Sequence, residues 1–104
     1  MATTPKLLTA SQLKKSLKGL DGWTLPAKGT SLQKTFTFDG HVEALVFIAR
    51  ITVHAQVLNH HPEILFTFRK VRVTLTTHDV KGLSSLDIDL AKRIQQLQLQ
   101  KKSG

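Results

Sequence analysis

The sequence predicts an α+β fold, a four-stranded antiparallel sheet with helices packed on one face. Three observations predict it. Apolar residues recur at helical spacing in three separate stretches. Two pairs of short segments rich in β-branched and aromatic residues lie between those stretches. No helical stretch separates the members of either pair, which favours antiparallel neighbours. The expected order is α-β-β-α-β-β-α. At 104 residues the chain fits a single domain, 1–104. A domain of this size buries only about two thirds of its unfolded surface, so self-association is an expected source of further burial.

The first helix starts at Thr9, because Thr9-Ala10-Ser11-Gln12 has the spacing of a capping box. Gly19 or Gly22 stops it. Residues 23–25 and 31–38 read as two strands around a turn at Pro26 and Gly29. Asp39-Gly40 then opens a long helix over residues 41–59. Val42, Leu45, Val46, Ala49, Val53 and Val57 form one apolar face, widened by Ala44, Phe47, Ile48, Ile51 and Ala55. Pro62 ends this region, since the residue before proline avoids the helical well.

Residues 64–68 and 71–78 read as a hairpin with Arg69-Lys70 at its tip. Pairing Phe68 with Val71 sets Phe66 opposite Val73 and Ile64 opposite Leu75, all on one face. The last helix starts near Ser84, with Leu83, Leu86, Leu90, Ile94 and Leu97 at helical spacing.

Composition narrows the function classes. The chain has no cysteine, which removes disulfide frameworks and thiolate metal sites. No uninterrupted apolar run approaches the roughly 18 residues of a membrane span, so no membrane partner is expected. No secretory pattern follows Lys6, which makes the cytoplasm the expected location. The formal charge of +8 is dispersed over Lys14, Lys15 and Lys18, over Arg69, Lys70 and Arg72, and over a basic tail at Lys101 and Lys102. No nucleic-acid motif accompanies it, and solvated faces account for it.

The hairpin register points to a candidate site. Continued past Pro62, it brings Asn59-His60-His61-Pro62 beside Thr76-Thr77-His78-Asp79. Three imidazoles and a carboxylate then meet at the open end of one hairpin. Histidine titrates nearest neutral pH, so such a group suits proton transfer in both directions. His60 and His61 also follow a helix C-terminus, where partial negative charge favours cations. Metal binding is a weaker reading, because adjacent residues of an extended segment point to opposite sides. Asp87 sits where a carboxylate caps a helix start, and Trp23 is either core or a stacking surface for a bicyclic ligand.

His60-His61-Pro62, the aromatic Phe68, Thr77-His78-Asp79 and Gly82-Leu83-Ser84 leading to Asp87 together resemble the pterin-4a-carbinolamine dehydratases. The resemblance covers nearly the whole chain, from Leu8 to Ala91. It implies a four-stranded sheet with helices on one face and no metal or organic cofactor. It implies dehydration of 4a-hydroxytetrahydropterins to the quinonoid dihydropterin, in tetrahydrobiopterin recycling. His60, His61 and His78 are implied as catalytic. Asn59, Pro62, Thr76, Thr77, Asp79, Trp23 and Asp87 are implied as substrate-binding. Homodimers or homotetramers are implied too, with Ala44, Phe47, Ile48 and Ile51 as candidates for a helix interface. Some animal members of the family also act as dimerisation cofactors of a transcription factor. This chain departs from the family pattern at Gln56, where a charged residue is usual, at Phe68-Arg69 in place of Tyr-Asn, and at Ile64 in place of tryptophan.

Overall fold

In the computed structural model, residues 5–103 are described, with side chains except at 27, 28 and 99–103. Lys101 and Lys102 therefore lie outside the described side chains. Helix α1, Ala10–Ser16, opens on the expected capping box. Gln12 N donates to Thr9 Oγ1 at 3.1 Å, and Thr9 N donates to Gln12 Oε1 at 3.0 Å. A 3-10 turn, Leu17–Gly19, follows. The strand expected at residues 23–25 does not form. Gly22 turns the chain at φ 83°, and Pro26–Gly29 is a single helical turn, α2. Between those constraints one bridge remains, Thr24 to Gln33. The sheet accordingly has three strands, not four.

Those strands are β1, Leu32–Thr37, then, beyond helix α3, His41–Leu58, strands β2, Glu63–Thr67, and β3, Lys70–Leu75. The sheet order is β1-β3-β2, antiparallel throughout. Phe66 faces Val71 and Thr67 faces Lys70, so the hairpin tip is Phe68-Arg69 rather than Arg69-Lys70. The tip is fastened to the β1–α3 junction. Phe68 adopts φ 54°, and its carbonyl lies 2.8 Å from His41 Nδ1. Phe38 N donates to the Arg69 carbonyl at 2.9 Å. The register thus differs from expectation by two residues. A slip of two keeps every side chain on its face, because the side-chain period of a strand is two. Val71, Val73 and Leu75 remain buried, with Ile64 and Phe66 packed against the core. Phe68 alone of the six is exposed.

The final helix is α4, Ser85–Ser103. It buries Ile88, Leu90, Ala91, Ile94 and Leu97 against α3 and the sheet. The inward face of α3 reverses the expected one. Ala44, Phe47, Ile51 and Ala55 are buried, whereas Val42 (69% exposed), Leu45, Val46, Val53 (63%) and Val57 face outward. Phe47 packs between Phe36 and Phe38, with ring centroids at 4.8 and 4.9 Å. Ala44, Phe47 and Ile51 are thus core residues of the chain itself, and Ile48 packs against that core. This removes Ala44, Phe47 and Ile51 as interface candidates, whereas Ile48 is only partly buried. The small residues Ala44 and Ala55 let the helix lie close, which is why this stripe and not the valine-rich one turns inward. By length and composition alone α3, with mean hydropathy 1.3, could cross a bilayer. That differs from the expectation that no segment approaches a span; one stripe of the helix, Ala44, Phe47, Ile51 and Ala55, is buried against the rest of the chain.

Candidate active site

The site is built where α3 and β3 both lose regular structure. Asn59 ends α3 in the left-handed region at φ 49°, its N–H bonded back to Ala55 and Gln56 carbonyls. His60 N donates to the Ala55 carbonyl at 3.0 Å. This turn throws His60 and His61 sideways off the helix end before Pro62 leads into β2. Beyond β3, Thr77 N donates to the Gly82 carbonyl at 2.8 Å, closing a short loop. His78–Val80 form a 3-10 turn within it, which ends at Lys81 with φ 54°. The observed register, extended past Pro62, sets His61 by Thr76 and His60 by Thr77. The expectation had set them by His78 and Asp79. The two segments still converge, because a two-residue slip moves neither off the hairpin's open end.

Between them lies an open cleft of about 630 Å³, a size suited to a small-molecule ligand. Asn59, His60, His61, Thr76, Thr77, His78 and Asp79 line it. Pro5, Leu58 and Leu86 supply apolar wall. Pro5 reaches the cleft because the N-terminal segment is tied to the site loop, Leu8 N donating to the Leu83 carbonyl at 2.8 Å.

Behind the cleft is a buried polar cluster. Asp87 is 0% exposed, and its Oδ1 lies 2.6 Å from His60 Nε2, whose side chain is 11% exposed. Its Oδ2 accepts from Thr77 Oγ1 at 2.6 Å and from Ser84 N at 2.9 Å. Ser84 Oγ lies 2.7 Å from Thr77 Oγ1 and accepts from Leu86 N at 3.3 Å. Among the described residues no buried side-chain nitrogen or oxygen lacks a partner. Asp87 therefore fills one of the two roles considered for it, the helix cap, and as a fully buried residue it does not contact the cleft directly. It reaches the site through His60.

His61 Nε2 pairs with Gln56 Oε1 at 2.8 Å, so the family-atypical glutamine is a neutral partner for the second imidazole. The Thr76 hydroxyl donates to the Thr30 carbonyl at 2.7 Å. Both threonine hydroxyls are thus engaged by the fold. Pro62 lies beside the cleft at the entry to β2 and is half-buried. Trp23 is not brought to the site. It is buried against Phe36, centroids 6.1 Å apart, and its Nε1 donates to Gln95 Oε1 at 3.3 Å. Among the described residues no group of three or more His, Cys, Asp or Glu is arranged to hold a metal ion. Sequence reasoning missed Pro5, Leu58 and Leu86, whose apolar character gives no signal. It also missed Ser84, which reads only as a helix start.

The arrangement defines an α+β protein with a histidine-lined, ligand-sized cleft backed by a buried carboxylate. Comparison with known proteins supplies the family. Residues 6–97 match the model of the family described as pterin 4 alpha carbinolamine dehydratase, and the chain belongs to that family. A protein of Sulfurisphaera tokodaii is 40% identical over 92 residues, covering 88% of this chain and 97% of its own. One of Prochlorococcus marinus is 43% identical over 95 residues, covering 91% and 97%. Both carry the name "Putative pterin-4-alpha-carbinolamine dehydratase". The crystal structure of a transcriptional coactivator/pterin dehydratase from Brucella melitensis superposes with a TM-score of 0.83 at 33% identity, covering 86% of this chain and 96% of that one. A pterin dehydratase-like RuBisCO assembly factor of the alpha-carboxysome shares the fold, with a TM-score of 0.61 at 23% identity over 70% of this chain and 84% of that one.

Proposed function

We propose that the protein is a dehydratase acting on 4a-hydroxytetrahydropterin (pterin-4a-carbinolamine), in tetrahydrobiopterin recycling, using histidines and no metal or organic cofactor. The observation that carries this reading is the cleft in which His60, seated on buried Asp87, shares the lining with His61 and His78. The reaction needs two proton transfers. The 4a-hydroxyl must be protonated to leave as water, and the N5 proton must be removed as the C4a–N5 double bond forms. His60 and His78 exchange these protons, and His61, held by Gln56, orients the ring. One imidazole ends with the proton the other lost, and solvent restores both. The backbone at Asn59 to His61 and Thr76 to Asp79 takes the polar edge of the pterin, since both threonine hydroxyls are already bonded within the fold. Leu58 and Leu86 offer apolar surface to its rings. The test is direct: purified protein must accelerate dehydration of a synthetic 4a-hydroxytetrahydropterin above the spontaneous rate.

The working form in this reading is a cytoplasmic homodimer or homotetramer. Its support is the outward row Val42, Leu45, Val46, Val53 and Val57 on α3. Contiguous apolar surface of this kind marks an association site. A second reading is a dimerisation cofactor for another protein. It draws on the same α3 face and on the coactivator description of the Brucella melitensis protein. An α3 face variant separates the two readings, because dehydration survives it and coactivation does not.

A further inference from the structure

We infer that Ser84 and Thr77 are positioning residues that hold His60 in one tautomer, with hydrogen on Nε2, so that Nδ1 is the atom exchanging a proton with substrate. The second half of this statement rests on the dehydratase reading; the first half does not.

The direction of every bond in the buried cluster can be followed. Leu86 N–H donates to Ser84 Oγ, 3.3 Å. The Ser84 hydroxyl lies 2.7 Å from Thr77 Oγ1 and is the donor to it, because the Thr77 hydrogen is committed elsewhere. Thr77 has one hydrogen, and it goes to Asp87 Oδ2 at 2.6 Å. Ser84 N–H reaches the same oxygen at 2.9 Å. Asp87 thus receives two donors on Oδ2, the pattern of an acceptor-only carboxylate. Its remaining oxygen, Oδ1, faces His60 Nε2 at 2.6 Å. A carboxylate can only accept there, so Nε2 carries the hydrogen. In neutral imidazole one ring nitrogen donates and the other keeps its lone pair, which leaves Nδ1 as the base. All of Asp87, Ser84 and nearly all of Thr77 are shielded from water, so no solvent competes for these bonds.

In the reaction, the N5–H bond breaks and an Nδ1–H bond forms. The N5 electron pair closes the C4a–N5 double bond as the hydroxyl, protonated by imidazolium His78, leaves C4a as water and His78 is left neutral. His60 becomes imidazolium, and its new charge is balanced by Asp87 through Nε2–H. Ser84 and the Thr77 hydroxyl touch neither substrate nor reacting atom in this scheme; they aim the carboxylate.

The test uses full-length protein labelled with nitrogen-15 at histidine. Nitrogen shifts separate a hydrogen-bearing from a lone-pair ring nitrogen, at a pH where imidazole is neutral. Wild type should show His60 with hydrogen on Nε2. Ser84→Ala should give a mixture of tautomers, with kcat lowered roughly tenfold, a fraction of the range for acid-base catalysis, and KM little changed. Ser84→Thr should restore both readouts. Thr77→Val, which keeps the volume and removes the hydroxyl, should reproduce the Ser84→Ala pattern, and Thr77→Ser should reverse it; this pair serves if Ser84→Ala does not fold. Hydrogen on Nδ1 in wild type overturns the inference, as does an unchanged tautomer in both Ser84→Ala and Thr77→Val. Wild-type protein with the expected tautomer and no dehydratase activity would instead overturn the function reading and leave the tautomer assignment standing.

Discussion

Replacing Asp87 by alanine removes one acceptor that three donors share, and the structure allows the loss to be sized. Ser84 N–H loses its partner at 2.9 Å in a position with no access to water. The Thr77 hydroxyl can only turn back toward Ser84 Oγ, which is already bonded to it. An unmet buried donor costs about 1–3 kcal/mol, and the side chain's own volume is lost from a packed helix start as well. The sum of these terms is about 3–5 kcal/mol. That is a large fraction of the roughly 5–15 kcal/mol that holds a domain together. Each kcal/mol shifts Tm by about 4–8 °C at this chain length, so a fall of at least about 12 °C is expected. Urea unfolding followed by circular dichroism checks it, with the midpoint lowered and the slope unchanged. His60→Ala should cost less, because Asp87 then keeps both Oδ2 donors and Oδ1 is near the cleft. A loss below about 1 kcal/mol for Asp87→Ala would refute the shared-acceptor account.

Two further outcomes are expected. His60→Ala and His78→Ala should each lower turnover roughly 100-fold or more with the fold retained, checked by steady-state kinetics beside circular dichroism; near-wild-type turnover in both would remove the proton-transfer scheme. On α3, Leu45→Glu should shift the assembly to a smaller species in light scattering coupled to size exclusion, with dehydration retained; a wild-type mass near 11.6 kDa would show that the exposed row does not bring copies together.

How far the fold could be read from the sequence depended on whether local signals were unique. The Thr9 capping box was, and α1 starts there. On α3 they were not: apolar residues surround most of the helix, so periodicity names several faces and only packing against Phe36 and Phe38 selects the one with Phe47. The strand expected at residues 23–25 failed because its strand-like composition is outweighed by Gly22 and Pro26 on either side. The hairpin tip was misplaced because nothing in Phe68 announces a positive φ, which its ties to His41 stabilise.

The meeting of residues 59–62 with 76–79 was legible despite that error, since it depends on which strand ends are adjacent, and a two-residue slip leaves that unchanged. The depth of the site was less legible. Ser84 and Asp87 carry an ordinary helix-start pattern, and only the fold shows that the same carboxylate reaches His60 across 27 positions of sequence. Trp23 has the surface a bicyclic ligand would use, but the turn it occupies buries it in the core and not in the cleft.

The central claim is that this histidine cleft removes water from a pterin carbinolamine. The measurement that tests it most directly is the rate of quinonoid dihydropterin formation from synthetic 4a-hydroxytetrahydropterin, with protein first dialysed against a strong chelator. The account predicts acceleration that is proportional to protein, survives the chelator, and falls close to the spontaneous rate in the His60→Ala, His78→Ala double variant. A rate equal to the spontaneous one with folded wild-type protein, or activity that returns only when zinc is added, would contradict it.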